Sequence, residues 1–329
     1  MKVAKPESDR DEIRALWNEI VELMGRRDTN RFLRHMWVSK YGDLKSTDLF
    51  SALKETIEGE NTSSIEFVRL CNHECERYVE LLDIHRDHLK SAAEYVDRLI
   101  KKLNIKSALP LLLSCYTRVS EEDFERIVRS ILVFVVRYDV VSGLDVSGME
   151  STFFTLAREV REMVKQKKSA QCARHIKEVL QKGSPTDEQV ESFVADLQLN
   201  RDDAAYVLGR IAFRKGTNTK ERGIHEANLE HIYPKNPKKD EWGGKENQEE
   251  LNQYLNHIGN LTILGERINA GIANSEFSVK KPYYENSELK ISNEVGWYND
   301  WNVDTIKKRA QGLAKSVLEI WNFENTSWV

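Results

Sequence analysis

Apolar residues recur at helical spacing over most of the first 214 positions. Ile13, Leu16, Trp17, Ile20, Leu23 and Met24 form one stripe, Phe32, Leu33, Met36 and Trp37 a second, and Leu49, Phe50, Leu53 and Ile57 a third. Thr29 is placed to cap the second helix, and Ser46 or Thr47 the third. Ser63-Ser64-Ile65-Glu66 has the form of a capping box and opens a long helix through Val68, Tyr78, Leu81 and Leu82. Another helix is predicted over 89–100. Pro110 fits the first turn of a buried helix beginning at Leu109. The run from Phe124 to Val135 is apolar on most sides and predicts a central helix. Further helices are predicted over 153–164, 170–180, 187–197 and 203–213. The third of these has Thr186 as its cap and Gln189 completing a box.

The pattern then changes. Lys215 to Gly223 is polar and contains two glycines, which predicts a linker. Beyond it, 229–233 and 261–264 read as short strands, 246–255 as a helix and 303–321 as a terminal helix. The resulting organisation is mainly α: a helical domain over 1–214, a linker over 215–223, and a mixed module over 224–329.

Composition narrows the class. With 40% apolar and 31% charged residues among 329, the chain suits a water-soluble globular protein of two domains. No run approaches the apolar length of a membrane span. The opening residues lack the apolar core of a signal peptide, so the cytoplasm is the expected compartment. Four cysteines are too few for a disulfide scaffold. Cys71, Cys75, His85 and His88 have the residue types of a zinc site, but each pair lies within a continuous helical pattern and is expected to be ordinary helix-face residues. No phosphate-binding Gly-rich loop with Lys-Ser/Thr is present. A net charge of −4 means that any nucleic-acid contact must come from local patches.

Candidate chemistry gathers between Asn228 and Lys281. His231 has an unperturbed pKa near neutrality and suits a general base. Its neighbour Glu230 is a hard oxygen ligand suited to Mg²⁺ or Mn²⁺. On a strand the two point to opposite faces, so a twist or bulge would be needed to bring both to one ion. Asn260 opens the second strand, where its amide carbonyl is suited to accepting a ring N–H of His231. Asn269, nine residues on, is suited to facing back from the first turn of a helix.

Glu230-His231-Ile232 with Pro234, Gly259-Asn260-Leu261-Thr262, Asn269, Asn274-Ser275 with Phe277, Lys280 and the segment from Tyr283 and Tyr284 to Ser287 together resemble the HNH (ββα-metal) nucleases. More narrowly, they are similar to the carboxy-terminal nuclease domain of GmrSD-type restriction enzymes. The resemblance implies an HNH-like ββα-metal module with a terminal helix. It makes His231 the general base, Glu230 and Asn269 metal ligands, Asn260 the residue that orients His231, and Lys280 a stabiliser of phosphate charge. It also implies an Mg²⁺- or Mn²⁺-dependent DNA endonuclease, nicking with low sequence specificity, in restriction of phage or modified DNA. Ala273 stands where some relatives carry a further ligand. A ParB-like amino-terminal domain is implied ahead of the helical region. Nothing in this chain matches it, so it is expected on a preceding segment or a separate subunit.

Lys235, Lys238, Lys239 and Lys281 flank the motif and are candidate phosphate contacts, with His257 as a further neighbour. Two other readings stay open. An HNH fold without activity would serve DNA binding or protein interaction through the helical domain, and RNA would be cut by the same chemistry.

Overall fold

The computed structural model describes residues 7–59, 63–216, 227–238, 241–265, 272 and 274–324. They fall into two compact units, residues 1–132 with 145–182, and residues 133–144 with 183–329. Among the described residues no helix is long and apolar enough to cross a membrane.

The first unit is helical. It comprises α1 (Glu7–Met24), α2 (Thr29–Tyr41), α3 (Leu49–Gly59), α4 (Ser64–Asp83), α5 (Arg86–Leu89), α6 (Ala93–Asp97), α7 (Leu109–Cys115), most of α8 (Glu121–Val135), α9 (Val146–Lys165) and α10 (Cys172–Gly183). α1 lies along α4, while α2, α7 and α9 pack on one another. The capping box at Ser63 and Glu66 forms in both directions. Asp28, not Thr29, caps α2, its carboxylate accepting from the Arg31 amide. The helix expected over 89–100 forms as consecutive 3-10, α and π turns from Lys90 to Lys102, and the positive φ of 49° at Lys90 separates it from α5.

At the centre of this unit, the buried Glu74 carboxylate accepts two 3.1 Å bonds from Arg161 and pairs with Arg118. Burial alone would raise its pKa, but Arg161, Arg118 and Arg77 outweigh that and hold it below the usual range. Cys71 and Cys75 are buried on α4, and desolvation pushes their thiols up to about 12 and about 11. His85 and His88 are exposed. The two cysteines thus lie in the core and the two histidines on the surface, separated from α4 by the left-handed turn at Ile84.

The second unit adds α11 (Asp187–Ala195), α12 (Arg201–Lys215), β1 (Ala227–His231), α13 (Gly244–Asn252), β2 (Leu261–Gly265), α14 (Phe277–Glu285), α15 (Lys290–Asn293) and α16 (Val303–Ile320). β1 and β2 pair antiparallel, with Glu230 opposite Thr262 and His231 opposite Leu261. Ile232, Tyr233, Trp242, Leu264, Ile272, Phe277, Tyr284 and Trp301 form the core beneath the hairpin. Both strands were expected from the sequence. The helix of a ββα module would follow β2 directly, in a stretch where only Ile272 is described before Asn274.

The boundary between the units differs from the sequence expectation. α11 and α12, assigned by pattern to the helical domain, belong to the second unit. α12 packs on both strands, and α16 packs on α11 and α12. Residues 133–144 join them because buried Arg137 donates to the carbonyls of Pro185 (2.8 Å) and Trp321 (3.2 Å) and to the Asp187 carboxylate (2.6 Å). Residues 217–223 of the expected linker lie outside the described residues.

Candidate active site

Strand alternation sorts the two motif residues of β1 to opposite faces. Leu229 and His231 line a cavity of about 390 Å³ together with Leu199, Asn200, Arg201, Lys235, Asn256 and Leu261. Glu230 points the other way, into the core.

On the core side, the Lys280 ammonium donates to Glu230 Oε1 at 2.7 Å and to the carbonyls of His231 (3.0 Å) and Ile232 (3.1 Å). Tyr284 adds its hydroxyl to the same carboxylate oxygen at 3.3 Å. Lys280 and Tyr284 are fully buried. Three acceptors require three N–H donors, so the side chain is held as the ammonium. Burial disfavours both charges of the pair, raising the Glu230 carboxyl and lowering Lys280, and each partner's charge opposes that shift in the other. Lys280 was expected to touch phosphate. It has no exposed surface, and it ties α14 to the end of β1.

The expected cation therefore meets a difficulty at Glu230. An ammonium already sits where an ion would coordinate, and His231 faces away. As placed, this carboxylate does not fit a metal site that also serves His231. Asn269 and Lys239 lie outside the described residues. Among the described residues, no group of three or more His, Cys, Asp or Glu side chains is arranged to hold a metal ion.

Asn260 is likewise fully engaged elsewhere. Its Oδ1 accepts from the Tyr233 amide (2.8 Å) and the Trp301 indole (3.0 Å). Its Nδ2 donates to the carbonyls of Tyr233 (3.1 Å) and Leu255 (3.0 Å). Two acceptor sites and two N–H groups are thereby filled, leaving nothing for His231. Asn260 clamps the chain leaving β1 to the chain entering β2.

The same turn is fixed from outside. Buried Arg309 of α16 donates to the carbonyls of Gly259 (2.8 Å) and Leu261 (2.7 Å). A Cβ on Gly259 would lie 2.1 Å from the Ile306 carbonyl oxygen, so only glycine permits this approach.

His231 takes its partner from Asn256, whose Oδ1 lies 3.3 Å from Nε2. An amide oxygen only accepts, so Nε2 carries the proton and Nδ1 the lone pair. Burial lowers the imidazole pKa below the ordinary histidine value. The Asn256 bond opposes this, and the charges of Lys235 and Lys280 add to it. The half-buried ring is therefore neutral at physiological pH and suited to accepting a proton.

Asn256 went unnoticed in the sequence because the run from Glu246 to Leu255 reads as a helix end, with no spacing that singles it out. It is held by the stretch joining α11 to α12. The Leu199 amide donates to the Asn256 carbonyl (3.0 Å), and the Ile258 amide to the Leu197 carbonyl (2.9 Å). Gln198 Nε2 donates to the Gln253 carbonyl at 3.0 Å. His257, considered as a phosphate contact, is buried in this seam. Its Nε2 donates to the Ala195 carbonyl (2.9 Å) while Nδ1 accepts from the Gly259 amide (3.1 Å). Both ring nitrogens are occupied, and the residue serves structure.

Of the remaining lysines, Lys235 is exposed at the cavity. Lys238 is exposed and paired with Glu241 at 2.8 Å. Lys281 is half-buried beside Glu285.

No curated protein matches the chain. Residues 181–316 match the family model described as GmrSD restriction endonucleases, C-terminal domain. The match begins within two residues of the second unit's main segment and takes in α11 and α12.

Proposed function

Because residues 181–316 match the family model of the C-terminal domain of GmrSD restriction endonucleases, we propose that the chain cleaves phosphodiester bonds of DNA with His231 as general base. The observation that carries this reading is the position of His231. It is neutral, hydrogen-bonded through Nε2 to Asn256, and set in a cavity beside Lys235 and Arg201. In the proposed step, Nδ1 takes a proton from water as the water oxygen bonds to phosphorus. The phosphorus–oxygen bond to the leaving sugar oxygen breaks, and that oxygen takes a proton from solvent. Lys235 offsets charge on the phosphate. One histidine in one cavity serves one strand per visit, which favours nicking. Divalent-metal dependence, with Mg²⁺ or Mn²⁺, rests on the family resemblance, and Asn269 is its remaining candidate ligand.

The test is conversion of supercoiled plasmid to open circles by the purified chain in EDTA, Mg²⁺, Mn²⁺ or Ni²⁺, beside His231→Ala. The proposal expects open circles to precede linear DNA and His231→Ala to abolish both. Equal cutting by His231→Ala would sink the role of His231.

The Glu230–Lys280 pair favours a second reading, in which the domain binds DNA without cutting it. DNA binding with no nicking in any metal, by a folded chain, would select that reading.

A further inference from the structure

Among the eight residues lining the His231 cavity, two are basic, Arg201 and Lys235, and none is a carboxylate. Arg201 is exposed at the first position of α12, well outside the hairpin that supplies His231. The cap of α12 does not supply the anion site. Asn200 Oδ1 already accepts from the amides of Asp202 and Asp203, and both aspartates oppose an anion at the helix end. The guanidinium itself is the available group, and its planar fork matches phosphate geometry better than an ammonium does.

Its placement is not accidental to the loop. The 195–199 stretch is bonded to the 253–258 segment at Ala195, Leu197, Gln198 and Leu199. The contact that holds Asn256 against His231 is therefore the same one that delivers Arg201 to the cavity wall.

We infer that Arg201 and Lys235 form a phosphodiester-binding subsite in the cavity that Asn256 also lines, where Asn256 positions His231. The inference deepens the proposed function and rests on it for the identity of the ligand as DNA. Arg201 grips a phosphate of the strand lying in the cavity, Lys235 neutralises the same stretch of backbone, and Asn256 fixes the ring and its tautomer. The α11–α12 connection is thus part of the site.

Binding is read apart from cutting, with the full chain and a short fluorescein-labelled DNA duplex in EDTA, by anisotropy at several salt concentrations. Arg201→Ala is expected to weaken binding about tenfold or more, the loss of one charge-assisted bond. It should also lower the slope of log affinity against log salt by about one, the mark of a lost phosphate contact. Arg201→Lys should recover the slope but only part of the affinity. Asn256→Ala should leave binding and slope unchanged. It should lower kcat and shift the acidic limb of the pH–rate profile to lower pH, because the Asn256 bond raises the His231 pKa. Asn256→Asp should move that limb to higher pH.

Unchanged affinity and slope in Arg201→Ala, or no DNA binding by the intact chain, would overturn the subsite. An unmoved pH profile in both Asn256 variants would overturn the positioning role. Arg201-dependent binding by a chain that never cuts would support the subsite while overturning the nuclease reading.

Discussion

Lys280 Nζ lies 2.7 Å from Glu230 Oε1, with both side chains buried beneath the strand that carries His231. Removing one partner leaves the other charged in the core, at a cost of about 3–5 kcal/mol. Lys280→Met should therefore lower the urea midpoint sharply. The double variant Lys280→Met, Glu230→Leu should recover much of that loss, since an apolar pair replaces an ionic one. If Lys280→Met kept full stability and lost only turnover, Lys280 would be acting on substrate after all.

Asn260 fills all its hydrogen-bonding capacity with backbone groups and the Trp301 indole. Asn260→Ala strands several buried polar groups, each costing about 1–3 kcal/mol. The expected result is a loss of about 3 kcal/mol or more in denaturant unfolding, with cooperativity retained only in part. Native stability with lost activity would restore the orienting role suggested by sequence.

The hairpin was legible in the sequence because its signals are local. Alternation around Leu229 and His231, and the apolar run from Leu261 to Leu264, suffice to place two strands. Alternation also gave the opposite facing of Glu230 and His231. What was not legible was the partner of each polar group. Lys280 and Asn260 have residue types and spacings that fit catalysis, yet their partners, Glu230, Tyr233 and Trp301, are brought together only by tertiary packing. Asn256 and Arg201 were missed for the converse reason, since the seam that seats them joins segments more than fifty residues apart. The helical region was read well where caps and stripes agree, as at Ser63. At Lys90 a positive φ starts the helix one residue later than the stripe beginning at Leu89 implies.

The pH dependence of cleavage provides a further check. Burial sets the His231 pKa below 6.5, so the base is neutral above that lowered value and protonated below it. The acidic limb of kcat/KM should therefore fall below the ordinary histidine range, and activity should be flat through pH 7. An acidic limb above pH 7 would indicate another base or a carboxylate beside the ring.

In the first unit, His35 is buried against Tyr78, with its Nδ1 2.9 Å from the hydroxyl. Desolvation, aided by Arg34 and Arg31, lowers its pKa from 6.5 to about 4. Below pH 6.5 the unfolded chain binds this proton and the folded chain does not. Stability present at neutral pH is thus lost progressively as pH falls from 6.5 to about 4. At roughly 1.4 kcal/mol per pH unit, the loss approaches about 3 kcal/mol. Urea unfolding of the wild type and His35→Gln across this range should show the variant's curve falling less steeply. Parallel curves would assign acid sensitivity to other groups.

Arg137 gives the second unit an order of assembly. Its acceptors at Pro185, Asp187 and Trp321 lie 48, 50 and 184 positions later in the chain. On a ribosome the segment around Arg137 emerges long before the residues that satisfy it, the last of them 184 positions later. Emergence of Trp321, rather than local helix formation, thus sets when this guanidinium can be sealed away from water. Nascent chains stalled before α16 should remain open to protease around residue 137 and close once Trp321 has emerged.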